Sequence, residues 1–103
     1  MMQPRVGAEF EVSQSWQEMV SPIRGRVVHS VVLPSDGTML VLLDCSPEAT
    51  YSQDGYWITA IQSPGDPCPS VAYSVPKSFG NVSDRISALK GAVSDDVERM
   101  GAA

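Results

Sequence analysis

The side chains best suited to nucleophilic or metal chemistry are one histidine, His29, and two cysteines, Cys45 and Cys68. A Cys/His nucleophile pair requires the imidazole within hydrogen-bond reach of the thiol, and a zinc site requires three or four ligands at short spacing. His29 lies in the middle of a predicted strand, and the two distant cysteines match no metal or redox spacing. We therefore predict no catalytic residue, no metal ligand and a structural role for His29.

Phosphate-binding and hydrolase motifs are also missing from the sequence. It contains neither a Walker-type loop nor Gly-x-Gly-x-x-Gly, and no Gly-x-Ser-x-Gly nucleophile elbow. Glu9 and Glu11 lie on one face of a predicted strand and could be drawn as an acid/base pair, but alternation alone predicts exposed carboxylates there. The sequence indicates a protein that is not an enzyme and needs no cofactor; an enzyme with an unrecognised site is an alternative.

Arg24, Arg26 and His29 form the one local cluster of positive residues, and they are the candidate nucleic-acid contacts. Seven Lys and Arg against twelve Asp and Glu give a net charge of −5, which opposes binding to a phosphate backbone. No aromatic residues are interleaved in the cluster for base stacking. Pairing of Arg26 with Asp44 across a hairpin is the simpler expectation, and nucleic-acid binding is kept as an alternative function.

Trp16, Met19 and Val20 are apolar residues in the segment Ser13 to Pro22, which we predict to be an exposed loop with room for one helical turn. Tryptophan and methionine are common at protein interfaces, where large apolar side chains act as anchors. These side chains either fold back to plug one end of the fold or form a protein-binding tip. The protein-binding tip is our leading site hypothesis.

Strands are predicted from alternation, β-branched content and turn residues. Strict alternation marks a half-buried first strand, and Pro34-Ser35-Asp36-Gly37 has the chemistry of a hairpin turn. If Leu33 faces Thr38 across this turn, His29 faces Leu42 and Arg26 faces Cys45. The predicted strands are 6–12, 24–33, 38–44, 56–62 and a short edge strand 71–75 that ends at Pro76.

The central hairpin is apolar on both faces, over Val27 to Leu33 and Met39 to Leu43. An open antiparallel sheet normally has one polar face. Both faces of this hairpin must therefore be covered, one by the interior of a closed barrel. The other is covered either by the C-terminal helix or by a partner protein.

A change of period predicts an α-helix over 81–101. Its apolar residues are spaced to form one stripe along a helix, with Asn81 as N-cap and Gly101 at the position after the last turn. Asp96 interrupts a seven-residue repeat, so we expect packing on the chain's own barrel rather than a coiled coil. The stripe consists of Val82, Ile86, Leu89, Val93, Val97 and Met100.

The order of these elements resembles that of small SH3-like barrels of the KOW and Tudor type. The features that carry the resemblance are a first strand, a long loop with Trp16, Arg24-Gly25-Arg26-Val27-Val28 entering a hairpin, Gly37 at its tip, and Tyr56-Trp57-Ile58 opening the next strand. The resemblance covers residues 6–75 and leaves the C-terminal helix outside. It implies a compact antiparallel barrel of about five strands whose loops bind protein or nucleic acid.

Length and composition favour a single domain, 1–103, made of a barrel over 6–75 and a helix over 81–101. The hydrophobic fraction of 43% is ordinary for a globular protein. The N-terminus lacks the apolar segment of a signal peptide and no window has the length of a membrane span. We expect a cytoplasmic protein without membrane contact, in which Cys45 and Cys68 stay reduced, with a disulfide as the alternative.

These observations together favour a protein-interaction module with a mainly β, α+β fold. We expect a small accessory or regulatory protein that docks on a larger partner or assembly, or that self-associates. Its size would suit a phage-type virion component or a host-directed inhibitor.

Overall fold

The computed structural model describes residues 3–16, 19–45 and 55–101, and for residues 14–16 and 19–22 it describes the backbone alone. Within these ranges the chain forms five β-strands, one short 3-10 turn and one α-helix. In chain order they are β1 (Glu9–Trp16), β2 (Met19–Val32), β3 (Met39–Cys45), β4 (Tyr56–Gln62), β5 (Ser70–Pro76), the 3-10 turn (Lys77–Phe79) and α1 (Val82–Gly101).

The five strands form a closed barrel in which each strand pairs antiparallel with the next one along the chain. Because five strands that alternate in direction begin and end with the same direction, β1 and β5 are parallel. They close the barrel through the pair Ser13 and Ser70. With one C-terminal helix packed on it, this is the mainly β, α+β barrel that the sequence predicts.

The first strand begins at Glu9, not at Val6 as predicted. Val6 and Gly7 form a turn in which Gly7 has φ of 90°, a conformation that favours glycine. The Val6 side chain is 73% exposed. The predicted alternation holds beyond the turn, where Val12 is fully buried and Phe10 packs against the core.

The predicted loop spans Ser13 to Pro22, and its described residues, 13–16 and 19–22, are strand instead. β1 continues to Trp16 and β2 begins at Met19, and these two residues pair with each other. β3 pairs with β2 only from Gly25 onward, so among the described residues the end of this hairpin has no third strand. Because a two-stranded projection has no barrel interior to face, it does not need the apolar alternation whose absence predicted a loop. We call residues 14–16 and 19–22 the arm.

The predicted central hairpin is present between β2 and β3. The Leu33 N–H donates to the Thr38 carbonyl at 2.7 Å, and Gly37 has φ of 80° in the turn. The Asp36 carboxylate accepts the Thr38 N–H at 2.9 Å, which lowers the pKa of Asp36. Turn chemistry therefore fixes the start of the register as expected.

The register changes once along this hairpin. His29 faces Leu42 as predicted, but a β-bulge immediately before His29 shifts the remaining pairs. Arg26 consequently faces Asp44 and not Cys45, which corrects the prediction. A bulge adds one residue to one strand, and a continuous apolar run conceals it because either face of the strand remains apolar.

The barrel interior is filled by aliphatic and sulfur side chains. At one point β3 approaches β2 so closely that only glycine fits: a Cβ at Gly25 would lie 2.8 Å from the Cys45 Sγ and 3.0 Å from the Asp44 carbonyl oxygen. The buried cluster consists of Val12, Ile23, Val27, Met39, Val41, Leu43, Cys45, Ile58 and Ala60.

The outer face of the central hairpin is covered by α1. Leu42 is fully buried, although by alternation it points away from the interior that Val41 and Leu43 fill. The helix packs against β2 and β3, and its Leu89 is 3% exposed. The chain's own helix, rather than a partner protein, therefore covers this face.

The apolar stripe predicted for α1 is wrong in its last turns, where Asp96 is buried instead of Val97 and Met100. Asp96 is 5% exposed and the two apolar residues are each 52% exposed. Ser35 donates its N–H and its hydroxyl to the Asp96 carboxylate, at 2.9 and 2.7 Å. The helix here lies against the polar β2–β3 turn and not against an apolar strand, so a hydrogen-bonding side chain takes the buried position.

Candidate interaction surfaces

The residues with nucleophilic or metal-binding side chains lie apart. His29 is half-buried on the outer face of β2. Cys45 is buried in the core, where burial and the nearby Asp44 carboxylate raise the pKa of its thiol to about 11, and such a thiol is a poor nucleophile at neutral pH. Cys68 is exposed, and no disulfide joins it to Cys45. In the described part of the chain no group of three or more His, Cys, Asp or Glu residues is placed to hold a metal ion.

A shallow groove of about 340 Å³ crosses the outer face of β1, β2 and β3 and contains both candidate arginines. Arg24 Nε lies 3.2 Å from Glu11 Oε2, and Arg26 stands between Glu9 and Asp44 in the sheet register. Carboxylates therefore accompany each arginine, which lowers the positive potential that a phosphate backbone requires. The lining residues are Glu9, Arg24, Gly25, Arg26 and Asp44.

Asp44 faces Arg26 across the hairpin, but its ion-pair partner is Lys77, which corrects the predicted pairing with Arg26. The Lys77 ammonium contacts the Asp44 carboxylate and lies 4.6 Å from the centroid of the Trp57 ring. Trp57 Nε1 donates to the Gly80 carbonyl at 2.9 Å. These contacts fix the 3-10 turn on the barrel and set where α1 begins.

The three candidate protein-binding residues lie on the arm. Trp16 pairs with Met19, and Val20 pairs with Ser15. Their backbones are in strand conformation, and their side chains lie outside the described part of the structure. The fold thus brings all three onto one two-stranded projection, while the choice between a plug and a binding tip stays a prediction.

The barrel closes at the seam between β1 and β5 through a single pair. Ser13 pairs with Ser70, and the Ser13 N–H donates to the Pro69 carbonyl at 3.1 Å. Past this point the two strands continue in parallel directions, and no further pairing between them occurs among the described residues. We call β1 residues 14–16 and β5 residues 71–75 the open seam.

Three of the five β5 residues along the open seam, Ala72, Tyr73 and Ser74, are exposed, whereas Val71 and Val75 are half-buried. Ser74 faces the barrel interior, in register with the buried Ile58, and is nevertheless exposed. Ala72 lies at a bulge in β5 and is also exposed. The strand predicted at 71–75 is present as β5, but it belongs to a closed barrel rather than to a free edge, and among the described residues it pairs with β1 only at Ser70.

Two exposed aromatic side chains and one arginine belong to β5 and to the segment that follows it. Tyr73 of β5 is 52% exposed, and Phe79 of the 3-10 turn is 82% exposed. The Arg85 guanidinium, from the first turn of α1, lies 5.3 Å from the centroid of the Tyr73 ring. Arg85 Nε is buried and has no hydrogen-bond partner within the described residues.

Sequence reasoning did not single out Tyr73, Phe79 or Arg85. One available signal was the composition of β5, which has no charged residue between Ser70 and Pro76. Natural edge strands commonly carry charges that prevent pairing with another chain. β5 carries no such charge along its length.

No helix in the described ranges is both long enough and apolar enough to cross a membrane. Comparisons with known protein families, with curated proteins and with solved structures found no match. The arm, the open seam and the charged groove are the surface features of the described chain that bear on its function.

Proposed function

We propose that this protein is a non-enzymatic interaction module, a small accessory or regulatory protein of the cytoplasm that docks on a larger protein through its arm. The observation that supports the proposal is the position of Trp16, Met19 and Val20, which all lie on the arm, where β1 and β2 pair with each other and, among the described residues, with no third strand.

Energetics favour this role for the arm. Two strands without a third are marginally stable in water, so apolar residues on them gain from burial against a partner. Tryptophan is the residue type most often found to dominate binding energy when it enters a pocket on the partner. An arm that carries Trp16 beside Met19 therefore offers a compact anchor at low structural cost to the barrel.

The nucleic-acid alternative has less support. Arg24 is engaged by Glu11, and Arg26 stands between two carboxylates. The net charge of −5 adds long-range repulsion from a phosphate backbone.

The test uses the double variant Trp16→Ala/Met19→Ala and, as matched control, Met100→Ala, which removes an exposed apolar side chain on α1. A partner captured from the native host is purified, and its affinity is measured by calorimetry. We expect the double variant to lose about 30-fold or more in affinity, with an unchanged far-ultraviolet spectrum. The control should bind like the natural protein.

Equal affinity of the double variant would refute the role of the arm. Binding of DNA or RNA oligonucleotides at low salt, with a steep loss as salt rises, would favour the nucleic-acid alternative instead.

A further inference from the structure

We propose that α1 is a detachable cover. It leaves the outer face of β2 and β3 while the barrel stays folded, and the uncovered face then binds an amphipathic helix of a partner protein. That helix carries an apolar residue and an acidic residue two turns apart, as α1 itself does. The inference concerns a surface separate from the arm and goes beyond the proposed function.

The apolar residues that join α1 to the barrel do not belong to the barrel core. Leu42 lies on the outer face of β3 and Leu89 lies on α1, and both are buried. Neither is part of the cluster that fills the barrel interior. Because the wall of the barrel separates the two groups, removal of α1 uncovers Leu42 and leaves the interior packing in place.

Few buried side chains hold α1 on the barrel. All 20 residues of the helix are described, and two of them, Leu89 and Asp96, are buried. Val97 and Met100, from the same predicted stripe, are each 52% exposed. An element with few buried apolar contacts opens at a lower free energy than the whole domain unfolds.

The helix is anchored at its start and latched near its end. Trp57 Nε1 donates to the Gly80 carbonyl at 2.9 Å, so the residues before α1 are held on the barrel independently of the helix. Near the other end, the Asp96 carboxylate accepts both hydrogen bonds from Ser35. Release of this one carboxylate lets α1 move away from the barrel about Gly80.

The surface beneath α1 defines the chemistry of the helix that replaces it. Leu89 and Asp96 are seven positions apart, so they lie on the same side of the helix, two turns from each other. Leu89 covers the outer face, and Asp96 reaches the β2–β3 turn. We call the residues of the barrel that receive them, with the apolar pair between Leu42 and the turn, the seat: Val31, Leu40, Leu42 and Ser35.

The seat has apolar surface that α1 does not use. Val31 and Leu40 are only half-buried although α1 is in place. A partner helix that keeps the apolar and acidic residues of α1, and adds contacts to these two side chains, buries more apolar surface than α1 does. That gain offsets the high effective concentration of a tethered helix. An amphipathic helix in an apolar groove is a recurring mode of recognition.

A second copy of this chain fits the seat less well. It presents the same α1 and therefore gains nothing over the chain's own helix. The occupant we propose is a different protein.

Native-state amide hydrogen exchange in increasing urea tests the detachment. A helix of this length is marginal once detached, so its amides should exchange through a smaller opening, with weaker urea dependence, than those of β3. Ile58→Val, a change in the barrel interior, should speed exchange in β3 about two- to tenfold and leave exchange in α1 unchanged. Equal acceleration in both would show that barrel and helix unfold together and would overturn the inference.

Peptides with the sequence of residues 81–101 test the seat on the full chain with Asp96→Ala, whose own helix has lost its latch. The natural peptide keeps the aspartate, and the control peptide carries Asp96→Ala. We expect the natural peptide to bind about fivefold more tightly or better in fluorescence anisotropy, and to shift amides of residues 29–31 and 40–42. Adding Ser35→Ala to the chain should remove this difference, whereas adding Trp16→Ala/Met19→Ala should not.

Absence of binding of the natural peptide at millimolar concentration, or equal binding of the two peptides, would overturn the inference. A dimer of the natural chain in sedimentation that Ser35→Ala dissociates would assign the seat to a second copy and would also overturn it. The exchange comparison needs only the natural chain and Ile58→Val, so it tests the detachment even if Asp96→Ala fails to fold. If Trp16→Ala/Met19→Ala abolishes partner capture while α1 and β3 exchange together, the proposed function stands and the detachable cover fails.

Discussion

Replacement of Asp96 by alanine should loosen the end of α1 from the barrel. Asp96 accepts two hydrogen bonds from Ser35, and a hydrogen bond to a charged group contributes about 1.5–3 kcal/mol. Because Ser35 is exposed, water competes for these hydrogen bonds, and the lower end of the range applies to each. The two hydrogen bonds together then contribute about 3 kcal/mol. Removal of the carboxylate also relieves the cost of burying its charge, which offsets part of this contribution. The expected loss in unfolding free energy is therefore about 1–3 kcal/mol.

The ion pair of Asp96 with Arg99 adds little, because the nitrogen–oxygen distance is 3.8 Å and Arg99 is 76% exposed. Urea unfolding measures the loss, with unchanged m-value as the sign that the folded state is intact. Asp95→Ala, one residue away and exposed, is the matched control and should change stability by less than about 0.5 kcal/mol. Equal stability of the two variants would refute the reasoning, as would additive effects of Asp96→Ala and Ser35→Ala.

Two further substitutions and two properties of the cysteines test the packing. Gly25→Ala should destabilise by roughly 1–3 kcal/mol in urea unfolding, since its Cβ would lie 2.8 Å from the Cys45 Sγ; a neutral effect would contradict the close approach. Leu42→Ala should cost about 2–5 kcal/mol because α1 covers that side chain; a loss below about 1 kcal/mol would mean that the helix does not. With a thiol reagent at pH 8, Cys68 should react promptly and Cys45 only after unfolding. Stability should also fall between about pH 9 and 11, since the unfolded thiol, of ordinary pKa 9.0, ionises before Cys45 does at about 11; a Cys45→Ala variant that shows the same fall would contradict this.

Much of the fold follows from local patterns in the sequence. The turn residues Asp36 and Gly37 predicted the central hairpin. The change of period predicted a C-terminal helix, which is present as α1 over Val82–Gly101. Asn81 is its N-cap as predicted, since its Oδ1 accepts the Asp84 N–H at 2.9 Å. These features depend on contacts between residues close in the chain, which periodicity and turn chemistry report directly.

Features that depend on distant parts of the chain were not predictable in the same way. The bulge before His29 leaves the apolar pattern intact, so the register error at Arg26 had no visible sign. The burial of Asp96 depends on the position of Ser35, 61 residues away. The arm was taken for a loop because alternation reports burial, and strands that project from a barrel need not be buried.

The candidate site was predicted in part. Trp16 and its neighbours were identified from residue type alone, and the fold adds their placement on one projection. The open seam required the topology, because only a count of strand directions shows that β1 and β5 must close in parallel. The properties of Tyr73 or Arg85 as single residues could not have revealed this parallel closure of β1 and β5.

The pairing of the barrel wall can be measured most directly by residue-resolved amide hydrogen exchange on the isolated protein. Amides all along β3, which pairs on both sides, should be strongly protected. In β5 only those directed at β4 should be protected, and the intervening amides from residue 71 to 75 should exchange rapidly. Unbroken protection along β5, equal to that in β3, would show that β5 is paired on both sides and would contradict the open seam.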